Sequence, residues 1–170
     1  MLQALQKIPL RVAFALGALA CALLLAAAYY LQYFQGQEPC PLCLVQRVFY
    51  LIAGIAFLAG AIHGPKSTGA AVYSALAMLS ALGGLATAAR QVYLQHLPPD
   101  QVPACGPDLP FMLENFPISR TLTFLVRGSG QCAEVNWRFL GLSIAEWSLI
   151  CFSGLIVYAL WIAVRGARNK

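Results

Sequence analysis

The sequence predicts an all-α membrane protein, a four-transmembrane-helix bundle with a long outer loop carrying a short surface-lying helix. Three observations predict it. Hydrophobic residues make up 60 % of the chain and charged ones 10 %, with a mean hydropathy of +0.71. That leaves too little polar surface to cover a soluble core. Four apolar runs, roughly 10–31, 42–62, 70–94 and 144–164, each reach the ~20 residues needed to cross a bilayer. Finally, the segments on one side of those runs carry six basic residues and no acid. At 170 residues the chain is read as a single integral membrane domain.

The charge asymmetry sets the expected topology. Lys7 and Arg11 stand at the start of the first run, Lys66 lies between the second and third, and Arg165, Arg168 and Lys170 follow the last. No acid accompanies them, and all six acids (Glu38, Asp100, Asp108, Glu114, Glu134 and Glu146) fall on the other side or at its boundary. The positive-inside rule then makes 1–9, 63–69 and 165–170 cytoplasmic and turns the 32–41 and 95–143 loops outward. The net charge of +5 belongs to this asymmetry, so nucleic acid is not an expected partner.

The first run follows a basic start and contains Ala26-Ala27-Ala28, as a cleavable signal would, but it is long for a signal core and reads as a span. Pro41 opens the second run, where a missing N–H costs nothing because the first helical N–H groups lack partners anyway. Gln46 and Arg47 are polar intrusions near its outer end. In the third run Ser80, Gly84 and Ala88 recur every four residues, with Gly83 beside them, the pattern that lets membrane helices approach closely.

The long loop divides into three parts. Pro98, Pro99, Pro103, Pro107 and Pro110 make its first part extended. An apolar stretch from Phe111 to Val126, broken by Glu114, Pro117 and Arg120, is too interrupted to span and is expected to lie along the membrane surface. Gly128-Ser129-Gly130 then precedes Cys132 and should leave that cysteine mobile. Trp137 and Trp147 suit the interfacial belt.

Six cysteines sort by location. Cys21 and Cys151 lie within spans and read as small buried hydrophobes. Cys40, Cys43, Cys105 and Cys132 lie on or near the outer side, where disulfides persist. Cys40-Pro41-Leu42-Cys43 is a C-x-x-C pair at a helix N-terminus, with Arg47 one turn below Cys43 on the same face. Helix start, cation and pair spacing all favour the thiolate, which is the attacking species.

The simpler readings are a static staple or half of a zinc site. Zinc prefers four closed ligands, and Cys105 and Cys132 lack finger-like spacing, so no metal is expected. Arg47 either snorkels to the headgroups or stabilises negative charge developing on a carbonyl oxygen; beneath a C-x-x-C the second is favoured. Cys105 and Cys132 form a second candidate pair, either bracing the loop or exchanging with another protein's thiols. Two pairs on one face suggest a relay that ends in a lipid-soluble acceptor. The chain has no haem C-x-x-C-H, iron–sulfur spacing or G-x-G-x-x-G, and a membrane quinone matches two-electron dithiol oxidation.

At these residues the chain resembles the DsbB family of bacterial inner-membrane disulfide-bond formation proteins. The resemblance rests on Glu38-Pro39-Cys40-Pro41-Leu42-Cys43 with Gln46-Arg47, on Ala104-Cys105, and on Gly130-Gln131-Cys132-Ala133-Glu134. Trp137, Phe139-Leu140-Gly141-Leu142 and Trp147 continue it, so it covers nearly the whole chain in order.

It implies a multi-pass protein of the bacterial inner membrane, with both termini cytoplasmic and the cysteine pairs facing the periplasm. It further implies that Cys105–Cys132 exchanges with a DsbA-type periplasmic thioredoxin-fold protein. Cys40–Cys43 would pass the electrons to ubiquinone or menaquinone, assisted by Arg47. His96 is a second candidate at the quinone. Two other readings compete: an enzyme of vitamin K epoxide reductase type, whose C-x-x-C is expected late in the chain, and a non-enzymatic membrane scaffold with structural disulfides.

Overall fold

Four long apolar helices dominate the computed structural model, which describes residues 8–98, 100–103, 111 and 114–168. They are α1 (Leu10–Phe34), α2 (Pro41–His63), α3 (Ser67–Gln95) and α5 (Ile144–Arg168), and each is long and apolar enough to cross a membrane. A shorter helix, α4 (Ile118–Arg127), lies in the long loop, followed by a 3-10 turn at Gly130–Cys132. Two short antiparallel strands, β1 (Arg138–Phe139) and β2 (Leu142–Ser143), then lead into α5. The all-α four-helix expectation holds, and each observed helix contains its expected span with a few residues added at the ends.

Aromatic rings set into glycine notches hold the bundle together. Phe57 of α2 fills the space a side chain would take at Gly17 of α1, and Phe14 of α1 does the same at Gly60 of α2. Both rings are fully buried. This reciprocal fit brings the two backbones close, which is how membrane helices gain contact when lipid offers no hydrophobic driving force.

The small-residue stripe of α3 works the same way on two sides. Phe152 of α5 occupies the notch at Gly84, and Phe49 of α2 occupies that at Gly83. Tyr50 stacks on Phe152 with ring centroids 4.0 Å apart, tying α2 to α5. Outward, Leu19, Leu23, Ile62, Leu79 and Val157 stay exposed, an apolar surface suited to lipid.

The C-terminus of α2 and the N-terminus of α5 are explicitly capped. Gly64 takes a left-handed conformation (φ 55°) to close α2, and Arg11 donates to the carbonyls of Ala61 and Ile62 at 3.1 Å each. Ser143 and Glu146 form a capping box at the start of α5, with Ser143 N–H donating to Glu146 Oε2 at 2.7 Å and Glu146 N–H to Ser143 Oγ at 3.3 Å. The strand pair turns through Leu140 and Gly141, both at positive φ (52° and 84°), as the tightest hairpins require. Trp147 Nε1 donates to Phe139 O at 3.0 Å and fixes that hairpin to α5. The hairpin and the capping box were not among the sequence expectations.

Packing at Gly84 makes a direct test. A Cβ there would approach Phe152 Cε1 and Cζ to 2.2 Å, whereas one at Gly154 would meet nothing within 4 Å. Gly84→Val should destabilise the detergent-solubilised protein by about 1–3 kcal/mol, while Gly154→Ala should leave it unchanged or slightly more stable. Paired thermal melts check this.

Candidate active site

The site forms where the N-terminal end of α2 and the C-terminal end of α3 meet the turn carrying Cys132. Cys40 is the N-cap of α2: its Sγ accepts from Cys43 N–H at 3.4 Å, and its carbonyl accepts from Leu44 N–H at 3.2 Å. Pro41 follows at the first helical position, as its fixed φ favours. The cap therefore places both sulfurs of the pair together, 2.8 Å apart.

Cys132 joins them. Its side chain is fully buried, in a small cluster with Cys40, Leu42 and Leu94. The expectation of a mobile Cys132 is therefore corrected: the residue is packed in place. The glycines before it shape a tight docked turn: Gly128 has φ 75°, and a Cβ there would come within 2.7 Å of Leu94 Cδ1 and 2.9 Å of Leu42 Cδ1. Glycine here permits close approach of backbone to core. Cys105, the other member of the expected second pair, lies outside the described residues.

Among the described residues, Cys40, Cys43 and Cys132 are free thiols sharing one hydrogen-bonded cluster. The Cys40 thiol donates toward Cys132 and Cys43 and is buried, so its own ionisation is pushed well above the usual range. Cys132 is lowered to about 6, chiefly by the hydrogen bond from Cys40, with the Leu42 and Ser129 backbone N–H groups adding to it against the cost of burial. Cys40 keeps the proton and Cys132 carries the charge.

Adjacent residues of α2 reach opposite ways, because successive helical positions do not share a face. Arg47 turns to α1, where its guanidinium donates to Gln32 Oε1 and to Ala28 O and sits 4.8 Å from the Tyr29 ring centroid. Gln46 turns to α3 and donates to Gln91 Oε1 at 2.8 Å. Gln91 Nε2 in turn lies 3.3 Å from both Cys40 Sγ and Cys43 Sγ. Gln91 escaped the sequence reading, although a polar side chain inside an apolar span is itself a signal.

A cleft of about 110 Å³ opens beside this cluster. Ala28 and Leu31 form an apolar wall, and Cys43, Arg47, Gln95 and Trp137 bring a sulfur and hydrogen-bond donors to it. His96 is not among the residues that line it. That side chain is exposed at the end of α3, where its Nδ1 lies 2.8 Å from Val92 O of its own helix.

Comparison with known proteins follows the same residues. The family model described as "Disulfide bond formation protein DsbB" matches residues 10–162. The chain belongs to the DsbB family. It is 54 % identical over 143 residues to disulfide bond formation protein B of Hahella chejuensis, covering 84 % of this chain and 86 % of the relative. It is 51 % identical over 155 residues to the protein of that name from Nitrosococcus oceani, covering 91 % and 92 % of the two chains. Disulfide bond formation protein B 1 of Pseudomonas aeruginosa is 46 % identical over 147 residues, covering 86 % and 90 %. In this DsbB-family chain the matched span includes every residue of the sulfur cluster and its cleft.

The opposed shifts of Cys40 and Cys132 predict a pH dependence. A thiol lowered from 9.0 to about 6 contributes stability that is complete above the unfolded value and is lost as pH falls through the folded one. Cys40, shifted the other way, has its effect only above pH 9.0. The melting temperature of the reduced protein should therefore fall between pH 9.0 and about 6, and Cys132→Ser should flatten that slope. Identical slopes in the two proteins would refute the assignment.

Proposed function

We propose that this DsbB-family protein is a quinone-dependent thiol:disulfide oxidoreductase of the bacterial inner membrane. It reoxidises a DsbA-type periplasmic thioredoxin-fold partner through Cys105–Cys132 and Cys40–Cys43 and delivers the electrons to ubiquinone or menaquinone. Both termini are cytoplasmic and the cysteine pairs face the periplasm in this reading. The observation that carries it is the contact of Cys132 with Cys40, which brings one cysteine of the second expected pair against the first pair.

The chemistry follows from which sulfur is reachable and which leaves well. Cys132 is buried, so an incoming partner thiolate attacks Cys105 of the Cys105–Cys132 disulfide. That bond breaks and Cys132 departs as thiolate, which the Leu42 and Ser129 backbone N–H groups beside it favour. Cys132 then attacks Cys40, its neighbour, and the Cys40–Cys43 bond opens with Cys43 as the leaving thiolate. The partner's second thiolate resolves the mixed disulfide at Cys105 and is released oxidised. Cys105 attacks Cys132, re-forms their bond and frees Cys40. Two electrons have moved from the partner dithiol to the Cys40–Cys43 pair.

The cleft residues fit a quinone. A flat ring with two carbonyl acceptors needs an apolar wall and donors, which Ala28, Leu31, Arg47 and Gln95 supply. Bound there, a quinone supplies a two-electron, two-proton sink for the dithiol. Arg47, already braced by α1, holds positive charge against an oxygen gaining negative charge.

Anaerobic single turnover with a reduced DsbA-type partner and a water-soluble quinone analogue tests this. Partner oxidation should match quinone reduction mole for mole, and Cys43→Ser should abolish both. Partner oxidation without quinone loss would reject the acceptor, and no exchange at all would favour a scaffold with structural disulfides.

Arg47→Ala should slow quinone reduction by a factor of about 100 or more, with thiol exchange at Cys105–Cys132 largely retained. Rapid mixing of each half-reaction separates the two. Equal losses in both would sink the role assigned to Arg47.

A further inference from the structure

The Gln46–Gln91 pair reads most simply as interhelical glue, since amides commonly bond across membrane helices. Glue needs only the bond between them. Here the geometry goes further. Gln46 and Gln91 are 3 % and 4 % exposed, each near the outer end of an apolar helix where burying an amide is costly. Gln46 Nε2 engages Gln91 Oε1 at 2.8 Å, and that bond decides which way the Gln91 carboxamide points. With its oxygen held, its nitrogen faces the sulfurs, 3.3 Å from both Cys40 Sγ and Cys43 Sγ. Its oxygen also lies 3.6 Å from Cys43 Sγ.

An N–H donor discriminates between the redox states of such a pair. Disulfide sulfur is a poor acceptor, whereas a thiolate is charged and binds a donor more strongly. An amide does not titrate, so this donor is present at every pH. The Arg47 guanidinium turns away to α1 in this structure, which leaves Gln91 as the side-chain N–H touching both sulfurs among the described residues.

We propose that Gln91 is a catalytic residue that stabilises the reduced, thiolate form of the Cys40–Cys43 pair through its amide N–H. Gln46 is the positioning residue that fixes the direction of that amide. The pair is thereby made more oxidising than the C-x-x-C and helix N-terminus alone would make it. The proposal rests on Cys40–Cys43 being the redox pair, but it requires neither a quinone nor a partner protein.

The test equilibrates the full-length protein in detergent micelles with mixtures of reduced and oxidised dithiothreitol, without quinone or partner. One dithiothreitol closes its ring disulfide as the Cys40–Cys43 bond breaks, so two electrons pass and the balance is set by the two potentials. Acid quenching, alkylation and peptide mass mapping read the state of this pair alone.

Gln91→Met keeps the side-chain length and removes the donor. It should shift the equilibrium roughly tenfold toward disulfide, which is about 30 mV more negative. Gln46→Met leaves Gln91 in place but free to turn, and should shift it the same way by less.

An unchanged potential in folded Gln91→Met, or a shift toward dithiol, overturns the proposal. Should Gln91→Met fail to fold, an unchanged potential in Gln46→Met overturns it equally. Quinone turnover by the wild-type protein is read separately. Its failure would count against the proposed function, and a shifted potential would still establish the role of Gln91.

Discussion

Everything at the sulfur cluster depends on one packed contact, the burial of Cys132 against the N-terminus of α2. Cys40 caps that helix, Leu42 lies in its first turn, and both pack on Cys132 together with Leu94 from α3. The contact is possible because Gly128 presents no side chain where Leu42 and Leu94 approach. Without it the loop cysteine would sit in water and the C-x-x-C pair would have no third sulfur. With it, Cys40 donates to its sulfur neighbours and stays protonated while Cys132 is favoured as thiolate.

The bundle below exists to hold that contact in place. Polar side chains from three helices must converge to within hydrogen-bond distance while their own backbones are surrounded by lipid. The glycine notches make this possible. Phe14 and Phe57 lock α1 to α2, and Phe49 and Phe152 lock α2 and α5 onto α3. Rings seated in notches resist sliding along the helix axis, because a shift would drive each ring into the backbone beside it. Register between the helices is therefore set well inside the bundle, and Arg47, Gln46 and Gln91 inherit their positions from it.

Much of this was legible in the residues themselves. The four spans follow from apolar runs bounded by charge and proline, and the glycine and small-residue stripe of α3 marked a packing face without showing which ring would fill it. The Ser143–Glu146 capping box was equally readable, because a serine three residues before a glutamate at the head of an apolar run is a local signal. The hairpin was harder. Leu140 adopts a positive φ that leucine alone would avoid, and the neighbouring Trp147 bond helps to hold it there. Cys132 was misjudged for the opposite reason: glycines beside it suggested freedom, when they serve close packing.

Sequence alone determined the membrane class, the four helices, the C-x-x-C at a helix start and the cation one turn below it. These are local properties, set by hydropathy, spacing and end chemistry within a few residues of each other. Tertiary structure decided which groups meet. It brought Cys132 across some 90 residues to Cys40, turned Arg47 toward α1 and Gln46 toward Gln91, and left His96 outside the cleft. Nothing local distinguishes those partners, because helix crossing and loop closure select them only once the apolar surfaces have packed.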